Sequence, residues 1–205
     1  MHPIICFIDD SGFEHDLVRQ EIAPCAQEFR FIQTYTFQEA RELLEKEKPA
    51  LFLLDLWGRD EDIEDPHLTS REELEEKIID FPGLGHVFKG LHDFKGDVFN
   101  EYLKRLFSIV DSWRSLFEEV CARVGQNRKY GLSNLGLVRE YYPGVPAVFY
   151  TRKSLISDAV AMFGAGADGL FIKPTGSNDT ETRQLTREYT PQLIRELAKI
   201  IGSYR

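Results

Sequence analysis

The run Leu51-Phe52-Leu53-Leu54-Asp55-Leu56 constrains this chain more than any other stretch, because five apolar residues flank a single carboxylate. An apolar run without alternation reads as a strand buried on both faces, as in a parallel sheet. Its acid then emerges at the carboxyl end, where open α/β sheets put their chemistry. A second run, Ile4-Ile5-Cys6-Phe7-Ile8, has the same form and delivers Asp9 and Asp10. If the two strands are neighbours, three carboxylates converge on one pocket. A lone Asp at a strand end is ordinarily a helix N-cap or a turn residue. Two acid-tipped buried strands point elsewhere, since clustered carboxylates repel one another and need a cation or protons to coexist.

Composition narrows the function classes. A formal charge of −9 and a pI near 5.1 argue against a sequence-independent grip on nucleic acid or on anionic lipid, both of which need a basic face. Protein or small-anion partners are expected instead. The 42% hydrophobic content suffices for a real core in 205 residues, as one large domain or a domain with an insertion. Cys6, Cys25 and Cys121 have neither metal-ligand spacing nor an even count and read as buried, reduced thiols of a cytoplasmic protein. The first strand reaches Asp9 before a signal-peptide core forms, and no apolar run approaches membrane-spanning length.

In chain order, Gly12 to Cys25 carries Phe13, Leu17, Val18 and Ile22 at helical spacing. Phe29 to Tyr35 alternates as a second strand, and Thr36 with Glu39 forms a capping box ahead of Ala40, Leu43 and Leu44. The Asp55 strand completes a βαβαβ half, which right-handed crossovers fold into a parallel sheet. The rhythm then stops. From Arg59 to Tyr130 no strand pattern is legible: an acidic run over residues 60–65 leads to a capped helix at Ser70, a glycine-punctuated stretch from Pro82 to Gly96, and one long amphipathic helix from Asp97 to Val124. After Gly131 the pattern resumes with a helix through Leu135 and Val138, strand Ala147–Thr151, a helix from Ser154 to Phe163 and strand Leu170–Ile172, which ends in Lys173-Pro174. A polar loop from Thr175 to Tyr189 is expected before a last helix with Thr190 as N-cap and Pro191 at its first position.

With the insertion set aside, the order of signals resembles the receiver domain of bacterial response regulators. An acid pair follows the first strand, Asp the third, Thr the fourth and Lys-Pro the fifth, and the segments 142–148 and 165–174 look especially like that family. The resemblance covers 1–58 and 131–205, which would form a discontinuous receiver domain, with 59–130 as a helical insertion. It implies a flavodoxin-like, doubly wound, five-stranded parallel sheet of order 2-1-3-4-5. It implies further that Asp55 accepts a phosphoryl group, that Thr151 contacts that group and that Lys173 pairs with it. Mg²⁺ would be held by Asp10, Asp55 and the backbone carbonyl of Trp57, with Asp9 acting through water. Such a site suits a hard cation that takes one or two carboxylates plus water and phosphate oxygens. The partner implied is a sensor histidine kinase or a phosphotransfer protein in the cytoplasm, and the chemistry is self-phosphorylation and dephosphorylation rather than turnover.

The chain departs from the family pattern at three points. Trp57-Gly58-Arg59 replaces a Met-Pro-type turn after the phosphoacceptor, Arg152 stands where a small residue usually follows the Thr, and Leu170 occupies the position of the fifth-strand switching aromatic. The insertion is therefore expected to carry the output. Its long helix sets Phe99, Tyr102, Leu106, Val110, Trp113 and Phe117 on a wide stripe, which packs within the chain or meets a second copy or a protein partner through 97–124. No basic helix-turn-helix segment occurs, so DNA binding would lie outside this chain, and the scattered histidines lack zinc spacing. Two rival readings remain. One is a degenerate receiver acting as an unphosphorylated scaffold or dimerisation module. The other is a haloacid-dehalogenase-type phosphatase, which wants a second Asp two residues after the nucleophile, whereas Trp57 stands there.

Overall fold

The computed structural model describes residues 2–45, 47–59, 67–152 and 156–204; the acidic run over 60–65 and the expected helix start at Ser154 lie outside the described residues. Five parallel strands form one sheet: β1 (Ile4–Ile8), β2 (Arg30–Thr34), β3 (Leu51–Leu54), β4 (Ala147–Thr151) and β5 (Gly169–Ile172). Their spatial order is β2-β1-β3-β4-β5, the doubly wound 2-1-3-4-5 arrangement. Every residue of β1, β3 and β4 is buried, as unbroken apolar runs require in a sheet covered on both faces. The register aligns Ile8 with Thr34 and Leu54, Leu54 with Phe149, and Thr151 with Ile172. All carboxyl ends therefore stop at one edge, and the residues that follow β1, β3, β4 and β5 share it.

The first crossover is less regular than its periodicity suggests. Helix α1 (Gly12–Leu17) widens into a π-turn over Val18–Ile22 and tightens into a 3₁₀ turn over Ala23–Cys25, where Pro24 cannot donate to the ladder. Cys25 is exposed, contrary to the expectation of three buried thiols, because it stands at that final turn; Cys6 and Cys121 are buried and all three are free. Burial pushes the Cys6 thiol up to about 12. Helix α2 (Phe37–Leu44) is capped by Thr36, whose Oγ1 accepts from the Glu39 N–H at 3.2 Å.

The described residues of the insertion form their own helical group. Helix α3 (Arg71–Ile78) begins with a full capping box between Ser70 and Glu73. Helix α4 (Leu84–Phe88) follows, and α5 (Val98–Arg123) is a single helix capped by Asp97. Lys77 binds Glu119 at 2.8 Å, Phe81 meets Trp113 edge-on at 5.4 Å and Phe88 lies 5.8 Å from Tyr102, so part of the long stripe packs within the insertion. The two-residue strands Gly58–Arg59 and Gln126–Asn127 flank this region, where no strand pattern was legible. The chain divides into two compact units, residues 1–60 with 127–205, and 61–126.

After the insertion come α6 (Lys129–Tyr141), α7 (Ile156–Gly164) and α8 (Asp179–Ser203). The last corrects the expected polar loop: the helix starts at Asp179 with Asn178 as its N-cap, and Pro191 lies in its interior. The polar residues mislead because Thr182, Thr186 and Thr190 are all buried, spaced one turn apart. Thr186 and Thr190 each donate to the carbonyl four residues back, at 2.8 Å, so their hydroxyls are satisfied although the residues are buried. Leu193, Ile194, Leu197 and Ile201 continue that face against Phe7, Val18 and Ile22.

Candidate functional site

At the carboxyl edge of the sheet, Asp9 and Asp10 follow β1 while Asp55 follows β3, with the Asp55 N–H donating to the Ile8 carbonyl at 2.9 Å. Carboxylate oxygens of Asp9, Asp10 and Asp55 all fall within 4.8 Å of one another. Lys173, carried in by β5, reaches across β4 and donates from Nζ to Asp9 Oδ2 at 2.5 Å and to Asp55 Oδ1 at 2.9 Å. Thr151, fully buried, ends β4, and its carbonyl accepts the Lys173 N–H at 2.9 Å. The structure thus brings Asp9, Asp10, Asp55, Thr151 and Lys173 to one edge.

Each carboxylate has a distinct setting. Asp9 accepts the Ser11 N–H at 2.9 Å, while its carbonyl takes the Nε2 hydrogen of His15 at 2.9 Å. Asp10 accepts the Arg59 N–H at 2.8 Å, and Asp55 Oδ2 accepts the Trp57 N–H at 3.0 Å. Burial pushes the Asp9 carboxyl up to about 7, with the neighbouring charges of Asp55 and Glu14 adding to it against the attraction of Lys173. For Lys173, burial alone would favour the neutral amine, but the Asp55, Asp9 and Glu14 carboxylates outweigh it and hold the ammonium charged well past its ordinary range. A single ammonium shared among these acids leaves excess negative charge, which a divalent cation or a proton offsets. Three carboxylates this close could hold a metal ion, and hard oxygen ligands favour a hard cation.

Glu14, Tyr130 and Gly131 adjoin the site and are not singled out by the sequence. Glu14 lies buried, 3.6 Å from Lys173 Nζ, and accepts from Arg152 Nε at 2.6 Å. A signal for it exists, since Glu14 stands at helical spacing with Leu17, buried with it on α1, and with Val18 just after it. Arg152 also donates to the Pro174 carbonyl at 2.6 Å and to Thr175 Oγ1 at 2.9 Å, tying the end of β4 to the turn after β5. Tyr130 and Gly131 adjoin the loop after Asp55, and nothing in the local pattern marks them.

No protein-family model matches the sequence, and no curated protein matches it. Among solved structures, the signal receiver domain of a protein assigned as a Luxo repressor, from Vibrio parahaemolyticus, is similar with a TM-score of 0.51 at 13% identity, covering 100% of this chain and 93% of that one. The response regulator domain of CheB from Thermotoga maritima gives 0.50 at 15% identity, covering 98% of each chain. The chain has the response-regulator receiver fold. Within a receiver fold the edge that gathers Asp9, Asp10, Asp55 and Lys173 is the topological switch region of a doubly wound sheet, the general place for a ligand. No helix among the described residues is long and apolar enough to cross a membrane.

Proposed function

We propose that this chain is a phosphorylatable signal receiver in which Asp55 accepts a phosphoryl group from a phosphohistidine of a sensor kinase or phosphotransfer protein. The observation that carries the reading is the convergence of Asp9, Asp10 and Asp55 around the Lys173 ammonium at the carboxyl edge of the sheet. In the step proposed, an Asp55 carboxylate oxygen attacks phosphorus and the P–N bond breaks. Its electron pair returns to the imidazole of the donor. Phosphoryl transfer asks the protein mainly for alignment and for neutralisation of the equatorial oxygens. Lys173, already 2.9 Å from Asp55, is suited to pair with a phosphoryl oxygen, and the Thr151 hydroxyl to donate to another. Mg²⁺, held by Asp10, Asp55 and the Trp57 carbonyl with Asp9 through water, would supply the remaining neutralisation. Transfer occurs once per signal rather than by turnover, and a cytoplasmic setting follows from the kinase partner.

Incubation with a small acyl phosphate, with and without Mg²⁺, tests the reading by intact-mass and peptide mass spectrometry. One added phosphoryl group on Asp55, dependent on Mg²⁺ and absent in Asp55→Asn, is expected. Label on Asp9 or Asp10, or undiminished label in Asp55→Asn, would sink it. The scaffold reading is favoured by one observation, the Arg152 tie between Glu14 and the Pro174–Thr175 turn, which opposes movement of those segments. An unlabelled wild-type chain would favour it.

A further inference from the structure

Three residues at the return from the insertion, Arg128, Tyr130 and Gly131, pack against the loop that carries Asp55. Arg128 lies 5.6 Å over the Trp57 ring and binds the buried Asp158 at 2.6 Å. Tyr130 lays its ring directly on Gly58: a β-carbon there would meet ring atoms at 2.2, 2.4 and 2.7 Å. Gly131 donates its N–H to the Leu56 carbonyl at 3.1 Å, and a β-carbon on Gly131 would come within 2.4 Å of the Asp55 carbonyl oxygen. Backbone therefore rests on backbone at the residue before the turn, and an aromatic ring rests on the turn itself.

The far side of Tyr130 is fixed as well. Its hydroxyl donates to the Tyr35 carbonyl at 2.7 Å, the Tyr35 ring packs on the His15 ring with centroids 4.4 Å apart, and His15 holds the Asp9 carbonyl. Burial and the charges of Asp9, Asp10 and Asp55 hold the Tyr130 phenol protonated far into the alkaline range. This ring thus borders the acid cluster and touches both segments that carry it, the Asp55 loop directly and the Asp9 turn through Tyr35 and His15. Gly58 offers no side chain of its own, so the Tyr130 ring fills the space against its backbone.

We propose that Tyr130 is a positioning residue of the carboxylate site: its ring clamps Gly58, and the alignment of Asp55 with Asp9 and Asp10 depends on that clamp. The site would then be incomplete without residues that the chain supplies only after the insertion. This rests on the reading of the cluster as a receiver's Mg²⁺ and phosphoryl site. A group one shell away that orients metal ligands commonly sets affinity by about tenfold.

The full chain, in a Trp113→Phe background so that Trp57 alone reports, is titrated with Mg²⁺ by fluorescence as wild type, Tyr130→Phe, Tyr130→Leu and Tyr130→Ala, with urea midpoints taken for each. Tyr130→Ala is expected to weaken Mg²⁺ by about tenfold, while Tyr130→Phe, which keeps the ring, stays within about twofold of wild type. Tyr130→Leu replaces the alanine variant if that one does not fold. Alanine or leucine variants that fold and bind Mg²⁺ like wild type overturn the proposal, as does a phenylalanine variant as weak as alanine. Acyl-phosphate labelling of the same samples judges the receiver reading separately. A wild-type chain that takes no label while Tyr130→Ala loses Mg²⁺ affinity rejects that reading and keeps the clamp; a labelled chain indifferent to Tyr130→Ala does the reverse. A wild-type chain that binds no Mg²⁺ overturns both.

Discussion

Asp168, just ahead of β5, gathers more donors than its place in a glycine-rich turn suggests. It accepts from Arg139 Nη2 at 2.6 Å and from the Ala147 N–H at 2.7 Å, and the Tyr204 hydroxyl donates to it. Burial pushes this carboxyl up, but the hydrogen bonds from Tyr204, Ala147 and Arg139 prevail and hold it below the ordinary carboxylate range. A depressed carboxyl contributes stability above its unfolded value, near 3.9, that is lost as the pH falls through its folded value. Because the group is only half-buried, Asp168→Asn should cost about 1 kcal/mol at pH 7. Urea midpoints at pH 7 and pH 3 check this: the gap between wild type and variant should narrow at pH 3, and an equal gap at both would mean that the charge contributes nothing. At this scale the sequence named Asp9, Asp10, Asp55, Thr151 and Lys173, because strand-end acids and a Lys-Pro pair are local signals. Glu14 and Tyr130 owe their place to neighbours more than 100 residues away in one case and across the insertion in the other, and local pattern carries no such information.

Helix α8 illustrates what decides an element. A proline in a helix interior removes one hydrogen bond and crowds the carbonyl four residues back, here that of Arg187, at a cost of about 3 kcal/mol. The helix runs through Pro191 nonetheless, since Leu193, Ile194, Leu197 and Ile201 on one side and Thr182, Thr186 and Thr190 on the other are all buried. Tertiary burial of that continuous face outweighs the local penalty. Pro191→Ala should therefore raise stability by about 1 kcal/mol or more, less than the full penalty because Pro191 also helps line the hollow beside Cys25 and Ile194. A urea midpoint equal to or below that of wild type would mean that the proline ring packs to more advantage than its lost bond costs. The long helix α5 behaved as its periodicity predicts, with a cap at Asp97 and a single run to Arg123. The first crossover did not, because Pro24 and the turn into β2 distort its last residues into π and 3₁₀ form.

For the molecule as a whole, the chain leaves the sheet soon after Asp55 and comes back onto the same loop at Gly131, so the two ends of the insertion are joined to the site by covalent paths of a few residues. Leu170, on β5 beside Phe149 of β4, provides no aromatic ring. A change at Asp55 is therefore expected to alter amide exchange at Gly131 and in peptides spanning 67–126, compared between unmodified and acyl-phosphate-treated protein by hydrogen exchange. Changes confined to 151–173 would return the output to β4, α7 and β5.

The sequence by itself determined the parallel sheet, since unbroken apolar runs such as Leu51–Leu54 can be buried only with both faces covered, and it determined that acids, Thr151 and Lys173 end those strands, because a strand's end is a local property. The strand order 2-1-3-4-5 was already implied by the resemblance and the sheet has it; only the tertiary structure decided which of the gathered charges share Lys173. It also decided that α8 begins at Asp179 and that Tyr130 and Gly131 close on the Asp55 loop. Burial and close approach between distant segments set those outcomes, and both depend on the whole chain being in place.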